Sequence, residues 1–499
     1  MTTTREPGAP AADQADTGFR GSHAARWWVL VVLGVAQLMV TLDATVVNIA
    51  LPAAQEDLGF SDSSRQWVIT GYALAFGSLL LLGGRLGDLF GRRATFLIGL
   101  TGFAVASGIG GAAANFKILV GARVGQGVFA ALLAPAALSL LSVTFTEPAE
   151  RAKAFGIFSA LSGAGAAVGL LLGGMLTEWA SWRWVMFVNI GFAVVALAGG
   201  AFLLARHVAT ERPRLDLPGT VLASAALFAI VYGLAHVEST SWTDPVTLAY
   251  LIGGVVLLVA FVLLEARVDR PLLPLRVVTH RTRGGSFLAV FVMGMGMFSI
   301  FLFLTYYLAV SLGYSPIEGG LAFLPMVFAI VAVSIAVPAV VLPKVGPKVV
   351  ISVSFLVSAS GMVLLAQLAL DSTYVADVVP GLVLLGAGLG GAMTTAFQGA
   401  TAGLHHEDAG VASALINTSQ QVGGSISTAL LTTVAASAMT DYLTTHAAGP
   451  LTMAHAQVDS FTSTFSWGAG IFLAGAAIAA IVVPNAALEA SEGEPVIAH

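Results

Sequence analysis

The 499-residue chain contains no cysteine, which excludes disulfides and thiolate metal sites. Charge is scarce as well: Asp, Glu, Lys and Arg make up 10% of the residues against 57% hydrophobic, and the mean hydropathy is +0.89. A soluble chain of this length needs far more charge to cover its surface, so the composition is that of a polytopic membrane protein. No Gly-Lys dipeptide occurs, hence there is no phosphate-binding loop and no sign of ATP use. That leaves an ion gradient or simple diffusion to drive any work the chain does. The net charge of -5 implies no nucleic-acid partner. His405-His406-Glu407-Asp408 is a short loop without helical ligand spacing, so no metal site is expected there.

What the chain does have is long apolar runs. About 20 apolar residues cross a bilayer, and the sequence offers fourteen such runs between Trp27 and Pro484. The least regular starts near Val411, where Asn417, Thr418, Ser419, Gln420 and Gln421 interrupt it. The first run is too long for a cleavable signal and stays as a helix. Of the 22 Lys and Arg, 18 fall in the N-terminal tail and the even-numbered loops, 3 in the odd-numbered loops and one, Arg123, inside a span. The positive-inside rule then places both termini in the cytoplasm.

A weak internal repeat divides the chain. Gly91-Arg92-Arg93 and Gly346-Pro347-Lys348 follow their second spans at similar offsets, and the glycines around Gly163 match Gly423-Gly424. The reading is all-α: a disordered cytoplasmic tail (1–26), a six-helix bundle (27–206), a two-helix insert (217–265), a cytoplasmic linker (266–283), a second six-helix bundle (284–484) and a short tail (485–499). Parallel six-helix repeats around a central substrate site are a known transporter architecture.

Charges inside spans are costly and usually functional. Asp43 and Arg123 are the clear cases, and both lie roughly 8–10 Å below the outer boundary at 1.5 Å per residue, close enough in depth to meet. On the first helix Gln37, Thr41, Thr45 and Asn48 share one face, with Asp43 opposite among apolar residues. Desolvation there opposes charge on the acid, and a nearby Arg restores it. The segment Gly83 to Arg93 packs four charges into a short hairpin. In it Gly84, Gly87 and Gly91 permit a tight turn and close approach. Asp88 can pair with Arg92 or face the positive N-terminus of a neighbouring helix, and Arg93 completes the hairpin. Orientation needs only positive charge, so Asp88 points to a conformational latch, with Lys344 and Lys348 on the equivalent loop. Gly165, Gly169 and Gly173, with Gly174, form a smooth stripe for helix packing on the fifth span. Trp182 and Trp184 flank Arg183 as interfacial belt residues. Gln37, Asn48, Gln126, Asn189, Gln398, Asn417 and Gln421 are the polar candidates for a substrate cavity.

With these residues in hand, the chain resembles the major facilitator superfamily, in its fourteen-span drug:proton antiporter branch. LDATVVNIALP (42–52) is similar to that branch's first-helix motif, with Asp43 in the acidic position. GRLGDLFGRR (84–93) is similar to the superfamily's loop motif. ARVGQGVFAALLAPA (122–136) resembles the fourth-helix motif, with Arg123 as its arginine. SGAGAAVGLLLGGML (162–176) resembles the antiporter motif of the fifth helix, without its frequent Gly-Pro pair. The resemblance implies a proton-coupled exporter, not an enzyme, working by alternating access in the cell membrane. Among such proteins the Arg-rich composition is that of the actinobacterial drug and antibiotic exporters. Its partners would be protons, lipid and a small amphipathic substrate. It would work as a monomer with no cofactor, with Asp43 and Arg123 coupling the proton. A facilitator or importer of a small polar metabolite is the alternative, and it would need a more polar cavity than this chain offers.

Overall fold

The computed structural model describes residues 25–60, 62–204, 216–237, 240–268, 271–404, 408–447 and 449–485. These residues are helical almost throughout, and no strand occurs among them. The first half contains α1 (Ala25–Leu58), α2 (Asp62–Phe90), α3 (Arg92–Gly111), α4 (Phe116–Thr144), α5 (Pro148–Trp179) and α6 (Trp184–Leu203). Then come α7 (Leu217–Val237), α8 (Pro245–Glu265) and the short α9 (Leu275–Thr279). The second half holds α10 (Arg281–Val310), α11 (Pro316–Ala322), α12 (Leu324–Ala336), α13 (Leu342–Leu365), α14 (Val379–Ala400), α15 (Ala409–Thr445) and α16 (Thr452–Val482). The polar residues at 417–421 do not interrupt α15, which runs unbroken for 37 residues.

Local chemistry sets the helix ends. Asn115 accepts from the Ile118 amide to start α4, and Asp244 accepts from Val246 and Thr247 to start α8, with Pro245 in the first turn. Ser315 and Glu318 form a reciprocal capping box on α11.

Twelve stretches among the described residues are long and apolar enough to cross a membrane. One of them, Ile317–Leu365, has 49 residues, about 70 Å of helix, more than twice a hydrocarbon core. It turns back at Gly346, whose φ of 79° only glycine adopts freely. Counting its two limbs, and adding the 32-residue α5, the helices are compatible with fourteen crossings.

The two halves repeat one packing scheme. In the first, α1 lies on α5 and α6, α2 and α3 lie on α4, and α3 lies on α6. In the second, α10 lies on α15 and α16, α12 and α13 lie on α14, and α13 lies on α16. The loops obey the same symmetry: Gly91, with φ 89°, turns the chain between α2 and α3 as Gly346 does between the limbs of the long stretch. The insert helices α7 and α8 pack on each other, and α7 lies along α2 and also touches α15. The insert therefore covers one of the seams where the halves meet, with Leu227, Leu81 and Ala414 in a single apolar cluster.

Candidate functional site

Asp43 is fully buried in α1 and takes donors from two other helices. The Arg123 guanidinium on α4 donates from Nη1 to Oδ2 at 2.6 Å. Gln126 Nε2, one turn further along α4, reaches Oδ1 at 2.9 Å, and Asn189 Nδ2 on α6 reaches the same oxygen at 2.7 Å. Gln126 also accepts from Arg123 at 2.8 Å and donates to Ser107 Oγ on α3 at 2.8 Å. Arg123 itself sits 4.4 Å above the Tyr72 ring and donates from Nε to the Val68 carbonyl, both on α2. A glycine makes this possible: a Cβ at Gly127 would stand 2.5 Å from the Tyr72 carbonyl, so α2 and α4 approach closely enough to put the ring under the guanidinium. A charge buried this deeply needs its partner and its hydrogen bonds together, and Asp43 has both.

Another face of α1 packs on α5 through Thr41 and Thr45, both half-buried. Each hydroxyl donates to its own helix backbone and lies against the glycine stripe of α5, Thr41 on Gly165 and Thr45 on Gly169, with Val46 on Gly173. Gly174 is buried beside them. Gln37 is buried, and the side chain of Asn48 lies outside the described residues. Of the other cavity candidates, Gln126 and Asn189 both donate to Asp43. The azimuths that turn α4 and α6 toward α1 are tertiary and leave no mark on helical periodicity. In the second half Gln398 is buried, with no hydrogen-bond acceptor for Nε2 among the described residues. Asn417 is half-buried and donates to the Ser413 carbonyl, and Gln421 packs over Gly77 across the seam.

The charged hairpin sits at the other end of the first half. Asp88 meets both partners foreseen for it. Arg92 Nη2 is 3.8 Å away, and the carboxylate lies over the first turn of α15, where a Cβ on Gly410 would stand 2.6 Å from each oxygen. The negative group thus caps a positive helix end that belongs to the opposite half. Gly84 makes the same crossing, since its Cβ would stand 2.6 Å from the Gly410 carbonyl and 2.7 Å from Ala414 Cβ. Gly87, by contrast, has open space where a Cβ would go, so no close approach requires it. Arg93 donates to the Ala201 carbonyl at the end of α6. Lys344 is exposed.

Three contacts at this end were legible in the sequence only as topology charges or not at all. Arg151 donates across the halves to the Thr401 carbonyl at 2.8 Å and to its hydroxyl at 2.9 Å. Arg276 pairs with Asp408 at 2.9 Å, and Arg283 caps the Ala402 and Gly403 carbonyls. Of the loop at 405–408, only Asp408 lies among the described residues. At the opposite end, Trp184 is exposed but Trp182 is not a belt residue: it is buried and donates to Asp57, which also pairs with Arg183 at 2.9 Å. The sequence places it at the interface by depth and cannot show that the α1 terminus covers it.

A sequence profile of the Major Facilitator Superfamily matches residues 33–428. The chain belongs to that superfamily. It is 48% identical over 491 residues to the puromycin resistance protein of Streptomyces alboniger, covering 98% of this chain and 97% of that one. It is 38% identical to the cephamycin export protein of Amycolatopsis lactamdurans, over 82% of this chain and 85% of that one. The lincomycin resistance protein of Streptomyces lincolnensis is 33% identical, over 83% and 84%. Among solved structures, a human organic anion transporter superposes with a TM-score of 0.62 over 91% of this chain and 99% of that one. At 15% identity that likeness shows the fold alone. As a superfamily member the chain is a multi-pass membrane transporter of a small molecule, and such transporters are in general not enzymes.

Proposed function

We propose that the chain exports an amphipathic antibiotic from the cell in exchange for protons, by alternating access, as a monomer and with no cofactor. The observation that carries this reading is Asp43, a carboxylate at full burial whose charge is held by Arg123, Gln126 and Asn189. Antiport needs a group that holds a proton in one facing state and gives it up in the other. A proton arriving on Asp43 removes the countercharge of Arg123 and one or more acceptors from Gln126 and Asn189, so α1 loses its hold on α4 and α6. The other face of α1 rests on the α5 glycines, and α5 carries contacts to the second half at both ends, Gly156 against Ser334 and Leu171 against Gly320. Movement of α1 is thereby passed to the seam. Puromycin is the first compound to test, because the relative at 48% identity is named for resistance to it. In inside-out vesicles an imposed proton gradient should drive puromycin uptake without ATP. Uptake that survives collapse of the gradient by a protonophore would remove the coupling.

The arginine-rich end faces the cytoplasm in this account, with both termini there. A single cysteine at exposed Thr243, in the loop between α7 and α8, should then react with an impermeant maleimide from outside intact cells. Labelling that requires permeabilised cells would reverse the orientation.

Asp88 and Gly84 close the cytoplasmic face when the outer side is open. Asp88→Asn weakens one helix-end interaction worth about 0.3–2 kcal/mol, which is enough to shift two nearly balanced states by severalfold. Turnover should fall by that factor, while substrate affinity measured within one locked conformation stays the same. Unchanged distances between spin labels across the cytoplasmic seam would reduce Asp88 to a topology anchor.

A further inference from the structure

Two carboxyls face each other at the cytoplasmic end of the insert, and neither Asp43 nor Asp88 is part of the pair. Asp216 immediately precedes α7, and its Oδ1 accepts from the Gly219 amide at 3.0 Å. Glu265 ends α8 at 3% exposure, and its Oε2 accepts from the Leu273 amide at 2.8 Å. The other two oxygens, Asp216 Oδ2 and Glu265 Oε1, are buried, have no hydrogen-bond donor among the described residues, and converge on Gly219, where a Cβ would run into both. No lysine, arginine or histidine among the described residues forms an ion pair with either acid. Arg267, two residues on, is exposed, and Arg276 is engaged with Asp408. Thr220 faces the pair from α7, but its hydroxyl donates to the Asp216 carbonyl. Glu265 also stands at a helix C-terminus, the end that disfavours negative charge. Two buried like charges in contact cannot both remain ionised, and two facing acceptors need a proton between them.

We infer that Asp216 and Glu265 form a second proton-binding site, whose shared proton holds the two ends of the insert and the following linker against the α2–α15 seam. The linker is part of the same construction. Leu272 and Leu273, tied through the Leu273 amide to Glu265, are buried in one cluster with Leu81 of α2 and with Val411 and Ala414 of α15. Three residues further on, Arg276 reaches Asp408, just before the turn of α15 that Asp88 caps. Loss of the proton leaves two charges in contact, and the linker relieves them by leaving the seam. Cytoplasmic alkalinisation therefore frees the gate, and acidification holds it shut. The site works on the linker whether or not Asp43 couples transport.

The cysteine-free chain permits a direct test with Leu272→Cys as the single thiol, its maleimide reactivity normalised to that of a thiol at exposed Arg267. If undocking releases one proton, normalised labelling should rise by up to about tenfold per pH unit over the release range. In the Glu265→Gln background, where a neutral amide donates to Asp216, labelling should be low and flat with pH. In the Asp43→Asn background the rise should persist, which separates this site from the coupling carboxyl. Infrared spectra of the full chain in lipid supply a second reading that does not depend on docking: a protonated-carboxyl band present at neutral pH, lost in Glu265→Gln and kept in Asp43→Asn. A rise that survives Glu265→Gln, labelling that follows added magnesium at fixed pH, or a spectrum that Glu265→Gln leaves unchanged would each overturn the inference.

Discussion

Asp43→Asn is expected to abolish concentrative efflux while leaving a folded protein in the membrane. Asparagine has the shape of aspartate, can still accept from Gln126 or Asn189, and cannot be charged. Arg123 loses its countercharge but keeps the Val68 carbonyl, Gln126 and the Tyr72 ring. Hydrogen bonds to charged groups are worth about 1.5–3 kcal/mol, so the variant should be measurably less stable but folded. The functional loss is of another order, because no proton can be exchanged at a permanently neutral side chain. Accumulation against a gradient in inside-out vesicles should fall to background, with downhill exchange of substrate retained. Thermal unfolding of the purified variant separates the two effects. A variant that still concentrates substrate would place the coupling group elsewhere.

Gly84→Val should have the second largest effect, and by a different route. The added side chain must fit where the Gly410 carbonyl and the Ala414 methyl already stand, at 2.6 and 2.7 Å from its Cβ. Both belong to the first turns of a 37-residue helix and cannot step aside individually. Overpacking of this kind costs about 1–3 kcal/mol, here borne only by the state in which the seam between Gly84 and α15 is closed. At that cost the closed population falls roughly 5- to 150-fold, and turnover falls with it. Gly87→Ala in the same hairpin is the control. Its Cβ enters open space, so transport should stay near wild type. Equal loss in both variants would mean that the hairpin needs glycine for its own backbone and that the seam contact plays no part.

Much of this arrangement is legible in the sequence, and the limits are physical. The repeat of Gly91 at Gly346 follows from offset alone, because a tight turn needs a positive φ in both halves. The meeting of Asp43 with Arg123 is legible as depth, since the rise per residue converts position in a helix to height in the bilayer. Rotation about the helix axis is not. Periodicity shows that Thr41 and Thr45 lie on one face of α1 and Asp43 on another, but not which neighbour each face meets. The threonines form a polar face in the sequence, and only the structure shows that this face seats the α5 glycines. That Gln126 and Asn189 turn toward Asp43 is hidden for the same reason. The contacts of Arg151 with Thr401 and of Asp216 with Glu265 join residues 250 and 49 positions apart, and no local pattern marks such pairs. Gly219 carries a trace of the second, visible only once its missing Cβ is seen to make room for two oxygens.

The central claim, that substrate and proton compete through Asp43, is tested most directly by measuring proton release on substrate binding. Purified protein in weakly buffered solution with a pH indicator is titrated with the exported compound. The wild type should release protons as the compound binds, and Asp43→Asn should bind it with no release from that group. Equal release from both proteins, or none from the wild type despite binding, would contradict the account.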